Sequence, residues 1–285
     1  MVLISEEIIP EAQVLGLPWR TEDGRSNLPR VAIIITNFNM PERADALVEY
    51  IQEFCYWPND IYLVDNGSDI MPPAKHTTVR LSANLQTVGG WSAGFEAADR
   101  AEARRGFKYF AYWVMITSAE FPKQPLYADV LTELVEVMLA NDDIVGIHPG
   151  LDRYSTTHWK HLYAREASDG LWACRQTWMI DNIAALWRAD WFNSIGRFDR
   201  RLEYGWGVDL ETCYLARKQG KSLWVHDGVL IHKETDIGYT LGRMGMSAED
   251  RRRRAADNMN KVLTRKYGPD WRKMMENDYV EPEWR

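Results

Sequence analysis

Three short clusters of polar side chains follow apolar runs in this sequence, and each has the make-up of a ligand-binding turn. Thr36, Asn37 and Asn39 follow residues 31–35; Asp65 and Asn66, with Gly67, Ser68 and Asp69, follow 61–64; Thr117, Ser118 and Glu120 follow 109–116. A carboxylate such as Asp65 can accept hydrogen bonds from a ribose hydroxyl or a base N–H, and Gly67 permits the tight turn beside it. The same residue types also build ordinary Asx turns for purely local reasons, so one cluster alone would carry little. Three of them at strand ends on one sheet edge describe a crevice, because open α/β sheets bind ligands beyond the C-terminal ends of their strands. A glycine-rich stretch over 89–94, with Gly89, Gly90 and Trp91, leads into a helix and could bring backbone N–H groups near a diphosphate. It has neither the Gly-Lys-Ser/Thr of a P-loop nor GxGxxG spacing.

The elements that position these clusters follow from periodicity. Residues 31–36 form a continuous β-branched run, as in a strand covered on both faces of a parallel sheet. Leu47, Val48, Ile51 and Phe54 recur at helical spacing, and 61–64 is a second strand, giving a βαβ unit. The alternation continues with a short strand over 78–81, a helix over 93–105 after the Gly89-Gly90 turn, and a strand over 109–116. A helix marked by Leu131, Leu134, Val135 and Met138 and a strand over 144–147 complete it. Beyond residue 150 come aromatic-rich segments, a helix over 210–219 and two short strands over 223–225 and 229–231. After Met246 the chain reads as helical and polar. The pattern predicts an α/β fold with a mostly parallel sheet flanked by helices and a C-terminal helical appendage.

Composition narrows the function classes. At 285 residues, and about 150 residues per domain, the chain has room for one large domain or two small ones. The 34 Lys and Arg against 41 Asp and Glu leave a net charge of −7, which does not suit a nucleic-acid binder. Three separated cysteines without a CxxC pair argue against a disulfide framework or a cysteine zinc site and fit a reducing, cytoplasmic compartment. The apolar runs are too short to span a bilayer. Residues 250–273 hold nine Lys and Arg and three Asp and Glu, so 251–254 reads either as a solvated helix face or as a contact for a peripheral membrane or other anionic surface. The 13 tryptophans outnumber the 8 phenylalanines, and six of them fall within 48 residues, from Trp159 to Trp206. Indole faces suit cores and sugar rings alike.

Four segments in order resemble glycosyltransferase family two, inverting enzymes of GT-A fold that use nucleotide-sugar donors. These are 31–39, 62–69 (YLVDNGSD), 195–202 (IGRFDRRL) and 207–220 (GVDLETCYLARKQG), followed by His232 after the next strand pair. The resemblance covers about 31–233. It implies a Rossmann-like GT-A domain over 31–246, with a nucleotide-binding half at 31–150 and an acceptor half at 151–246. An N-terminal arm at 1–30 and a helical segment at 247–285 flank it.

The resemblance implies a hexosyl- or deoxyhexosyltransferase-like activity on a polysaccharide or glycolipid acceptor; the net charge disfavours a DNA acceptor. Asp209 falls where the family keeps its catalytic base, although an Asp there would also suit a helix N-cap. Trp206 and Glu211 would line the acceptor side. Thr36, Asn37, Asp65 and Asn66 would hold the nucleoside, and Asn39 and Asn84 would also contact the donor. Gly89, Gly90, Trp91, Ser118 and Glu120 would face the diphosphate.

The family also places an acidic DXD motif at the end of the fourth strand, binding Mg²⁺ or Mn²⁺. Here Thr117, Ser118 and Ala119 stand instead, leaving Glu120 and His232 as the available ligands, and Val208 replaces the Glu before Asp209. Three alternatives follow: neutralisation of the diphosphate without metal, a weakened metal site on Glu120 and His232, or a non-catalytic nucleotide-sugar or glycan-binding relative.

Overall fold

Residues 31–35 are fully buried, so the strand they form needs cover on both faces and hydrogen-bonded neighbours on both edges. The computed structural model describes residues 28–121, 129–165, 174–234 and 247–277 and supplies both. Strand β1 (Val31–Asn37) lies between β2 (Asn59–Asp65) and β4 (Ala111–Ile116), parallel to each, and β3 (Val79–Arg80) extends the sheet beyond β2. Helix α1 (Pro41–Phe54) links β1 to β2, with Pro41 in its first turn and Ala44, Leu47, Val48 and Ile51 on its buried face. Helix α2 (Gln86–Arg105) runs back from β3 to β4. With right-handed crossovers this reversal of direction puts α1 and α2 on opposite faces of the sheet. The strand order β3-β2-β1-β4 therefore has its switch point between β1 and β4, the position beyond the strands' C-terminal ends at which open α/β sheets bind ligands.

The second half continues the same sheet. After β5 (Ala119–Glu120), helix α3 (Val130–Ala140) starts from an Asp129 cap, and β6 (Ile144–Leu151) follows. Then come β7 (Cys174–Thr177), β8 (Ala184–Arg188), α4 (Ala189–Ser194), α5 (Val208–Lys218) and β9 (Ser222–Lys233). The order runs on through β4-β8-β6-β9-β5, with β7 on β9. Within the sheet β8 interrupts the parallel set β3-β2-β1-β4-β6-β9, being antiparallel to both β4 and β6, and β5 and β7 lie antiparallel on β9.

Two expectations need correction. Helix α2 begins at Gln86, so Gly89 and Gly90 lie inside it and form no phosphate loop. The glycine is there for packing: a Cβ at Gly90 would sit 2.4 Å from Thr36 Cγ2, so only glycine lets α2 approach β1 this closely. The two short strands near 223 and 229 are one strand, β9, whose register against β6 slips between Pro149 and Gly150; its partners jump there from His226 to Leu230. The expected C-terminal helices are α6 (Ala248–Tyr267) and α7 (Trp271–Asn277), which pack onto the domain with Ala255, Met259, Leu263, Trp271 and Met275 buried. Most of the expected N-terminal arm, and Trp172, lie outside the described residues.

Candidate functional site

At the ends of β1 and β2 the polar residues mainly bind one another. Asn39, at a φ of 56°, donates from Nδ2 to Asp69 Oδ1 (2.9 Å) and accepts from the backbone N–H groups of Ile70 and Met71, both at 3.1 Å. Its own N–H donates to Ser68 Oγ (2.8 Å). Asn66 accepts from Leu85 N–H (3.0 Å) and donates to Gln86 O (2.9 Å) and Asn84 Oδ1 (3.2 Å), while Asn84 accepts from Gln86 N–H (2.8 Å). Asn39, Asn66 and Asn84 are thus occupied in tying the 66–71 loop and the start of α2 to the sheet, in place of the donor contact expected of them.

Other polar atoms at this edge stay open. Thr36 Oγ1, Asn37 Nδ2 and Asp65 Oδ2 are buried without a hydrogen-bond partner. Such atoms are costly in a finished interior and mark a place where a ligand completes the set. The orientation of Asn37 is fixed because its Oδ1 accepts from Met40 N–H (3.0 Å), leaving Nδ2 as a donor. Asp65 accepts from the Ser68 hydroxyl through Oδ1, and Arg80 Nε lies 3.5 Å from its Oδ2.

Trp91 is buried, donates from Nε1 to Met115 O (3.3 Å) and packs on Phe198, so it is core and not part of a donor loop. At the end of β4, Thr117 is buried against Met40, and the Ser118 carbonyl accepts from Glu234 N–H (2.9 Å). Glu120 pairs across the β5–β9 ladder with His232. The two do not form a metal site. The Glu120 carboxylate is bound to Arg43 Nη2 (2.7 Å), and His232 Nδ1 faces Asp152 at 3.0 Å. Among the described residues no group of three His, Cys, Asp or Glu is placed to hold a metal ion.

Asp209 lies in the first turn of α5, but the N-cap is Gly207 (φ 85°), so the Asp side chain does not cap the helix. Its Oδ1 instead accepts from Asn182 twice, from the backbone N–H at 3.0 Å and from Nδ2 at 2.5 Å. Asn182 is aimed in turn by the buried Trp187, whose Nε1 donates to Asn182 Oδ1 (2.7 Å). Burial raises the pKa of Asp209 well above the ordinary carboxylate range, and the neighbouring Asp181 raises it further. The Asn182 bonds and Lys233 oppose the rise. Lys233 Nζ lies 3.6 Å from Asp181 Oδ2.

The result is a half-buried carboxylate, fixed in direction, with an elevated proton affinity on the sheet edge that carries the C-terminal end of β4. Sequence reasoning missed Asp181, Asn182 and Lys233. The available signal was the polar pair 181–182 directly before the apolar run 183–187.

Trp206 stands in the loop before α5 and is 43% exposed, open to solvent beside the proposed acceptor side. Glu211 is not: it is buried, accepts from Lys266 Nζ (2.5 Å) and the Tyr267 hydroxyl (2.7 Å), and holds α6 onto α5. A cavity of about 330 Å³ lies against another face of α5, lined by residues 195–201, Glu211, Thr212, Leu215 and Lys266. Its cations are engaged: Arg197 with Asp99, Arg200 with Glu96, and Arg201 and Lys266 with Asp199.

No protein-family model matches the sequence, and no curated protein matches it. Among solved structures, the fold is similar to that of GalNAc-T7 with UDP, GalNAc and Mn²⁺, at 13% identity and a TM-score of 0.52 over 73% of this chain. The chain spans 44% of the length of that structure. A second similar structure is the mannosyltransferase PcManGT from Pyrobaculum calidifontis in complex with GDP-Man and Mn²⁺. It is 14% identical, with a TM-score of 0.46 over 88% of this chain and 75% of that one. The nine-stranded mixed sheet with its flanking helices is a GT-A glycosyltransferase fold.

Proposed function

We propose that this protein transfers a sugar from a nucleoside-diphosphate sugar to an acceptor hydroxyl with inversion at the anomeric carbon, and that Asp209 is its base. The observation that carries the proposal is the Asp209 carboxylate itself, held by two Asn182 bonds with its proton affinity raised by burial and Asp181. A base works best when its pKa lies near the working pH, and an ordinary Asp is too acidic for that. In the proposed reaction the acceptor oxygen bonds to the anomeric carbon from the face opposite the leaving group, and its proton passes to Asp209. The bond from the anomeric carbon to the diphosphate oxygen breaks, and the nucleoside diphosphate leaves with the electron pair. The GalNAc-T7 structure was obtained with UDP, which supports a nucleotide-sugar donor.

Thr36 Oγ1 and Asn37 Nδ2, buried without a hydrogen-bond partner, support a nucleotide at the β1–β4 switch point, beside the Asp65 carboxylate that Arg80 pairs with. Trp206 supports a sugar-bearing acceptor, a polysaccharide or glycolipid, since an exposed indole face in the loop before α5 can stack on a ring. The exposed Arg252, Arg253 and Arg254 on α6 support attachment at the cytoplasmic face of a membrane, where anionic headgroups attract such a patch. A panel of nucleoside-diphosphate sugars, read by release of the diphosphate with and without candidate acceptors, tests the activity. The anomeric configuration of the product, read by NMR, tests inversion. A second reading, a nucleotide-sugar binder without transfer, is favoured by Thr117, Ser118 and Ala119 standing in place of carboxylates. Donor binding with no turnover on any acceptor would establish that reading.

A further inference from the structure

A transferase of this fold has to neutralise the charge of a departing diphosphate, and the side chains at the end of β4 are arranged around a guanidinium. Arg43 lies in the first turn of α1, directly after the switch point. Its Nη2 sits 2.7 Å from Glu120 Oε1 and 3.6 Å from Glu234 Oε2, two exposed carboxylates from β5 and the end of β9. His232, the remaining ligand type nearby, has Nδ1 on Asp152 at 3.0 Å and Nε2 3.8 Å from the same Glu234. The carboxylates that could grip a divalent cation therefore grip an arginine.

The other end of the guanidinium is the informative one. Arg43 Nη1 is buried and has no hydrogen-bond partner, and neither does Asn37 Nδ2 on a fully buried side chain. Met40 connects the two elements, donating its N–H to Asn37 Oδ1 (3.0 Å) and touching Thr117 Oγ1 through Sδ (3.3 Å). Two unsatisfied donors, one of them charged, thus flank the start of α1, where an anion is also favoured by the helix dipole. Glu120 and Glu234 both sit on Nη2, not on Nη1, and their side chains are partly in water, which screens their repulsion of an anion.

We propose that Arg43 supplies the charge that a divalent cation would otherwise bring, and that this chain binds the diphosphate of its donor without metal. The inference rests on the nucleotide-sugar reading above. Calorimetry of the full chain with UDP, GDP, ADP, CDP and dTDP, in EDTA and then in Mn²⁺, separates the two. At least one diphosphate is expected to bind in EDTA, with its affinity changed less than about twofold by Mn²⁺. Arg43→Ala should weaken that diphosphate about tenfold or more, the range of a charge-assisted hydrogen bond, while leaving affinity for the parent nucleoside unchanged. Arg43→Lys keeps the charge and loses the fork, and should fall between; it also covers the case in which alanine does not fold. Binding that requires Mn²⁺ would overturn the proposal and leave the donor reading standing, as would EDTA-resistant binding indifferent to both variants. Failure of every diphosphate in both buffers would overturn the donor reading, and the role of Arg43 with it.

Discussion

At the ends of β1 and β2, Asn39, Asn66 and Asn84 hydrogen-bond each other's loops, whereas at the start of β8 a single Asn182 serves a single carboxylate. Both regions are polar, both lie on the same sheet edge, and both use asparagine. The first closes its bonds internally and sets a rigid frame, leaving only a few buried atoms open. The second directs its bonds onto Asp209, beside a like charge from Asp181 and an opposite one from Lys233, so its chemistry depends on electrostatic balance. Loss of a frame residue should therefore appear as stability, and loss of a residue around Asp209 as rate or pH dependence.

The largest effect that tests this division is Asp209→Asn. It keeps the shape and removes the base, so turnover should fall about 10²–10⁴-fold, with donor affinity and Tm little changed. Turnover at the wild-type rate would remove Asp209 from the mechanism. Next in size, Asn39→Ala deletes three side-chain hydrogen bonds at a buried position and puts alanine at a positive φ. A loss of about 2–3 kcal/mol is expected, a fall in Tm of roughly 5–10 °C by thermal unfolding. If Asn39 contacted the nucleoside directly, Tm would hold and only donor affinity would drop.

Asn182→Ala is the smaller and more diagnostic change. Asn182 stabilises the charged form of Asp209, so its loss pushes an already raised pKa higher. Activity needs the deprotonated base and rises with pH through that pKa, so the acidic limb of the kcat/KM profile should move to higher pH. A loss of roughly tenfold near neutrality is expected. Asp181→Asn removes a like charge and should move the limb the other way. Opposite movements of these two variants would establish the balance; a common fall in rate with an unmoved limb would break the comparison.

The same contrast explains what the sequence made legible. The β1 and β2 runs announce themselves because both faces are buried, and the strand-end rule then points at Thr36, Asn37 and Asp65. That rule overlooks Asp181 and Asn182 because β8 runs antiparallel, so the beginning of the strand, not its end, lies on the site's edge. Arg43 escaped notice because a cation one turn into an amphipathic helix reads as solvated surface until β5 and β9 bring Glu120 and Glu234 to it. The Gly89-Gly90 pair misled because close helix–strand packing asks for the same residue as a loop does. The tryptophans divide by burial, which composition cannot reveal: Trp91, Trp113 and Trp187 fill the core, and Trp206 remains at 43% exposure in the loop before α5.

Glu211 is the smallest and sharpest case, being two residues from Asp209 and yet on the structural side of the division. Its carboxylate is buried with Lys266 Nζ at 2.5 Å and the Tyr267 hydroxyl at 2.7 Å, so it joins α5 to the end of α6. The contact matters to the site through Gly207, the α5 N-cap, where a Cβ would lie 2.8 Å from Met259 of α6. Glu211→Gln keeps an acceptor for Tyr267 and loses the ion pair with Lys266, which is itself partly exposed and screened. A cost of about 1 kcal/mol follows, or a fall in Tm of roughly 2–4 °C. Because the side chain faces α6 and not the crevice, the KM for acceptor should not move. An increase in acceptor KM at constant Tm would place Glu211 in the sugar site after all and erase the boundary between frame and chemistry on α5.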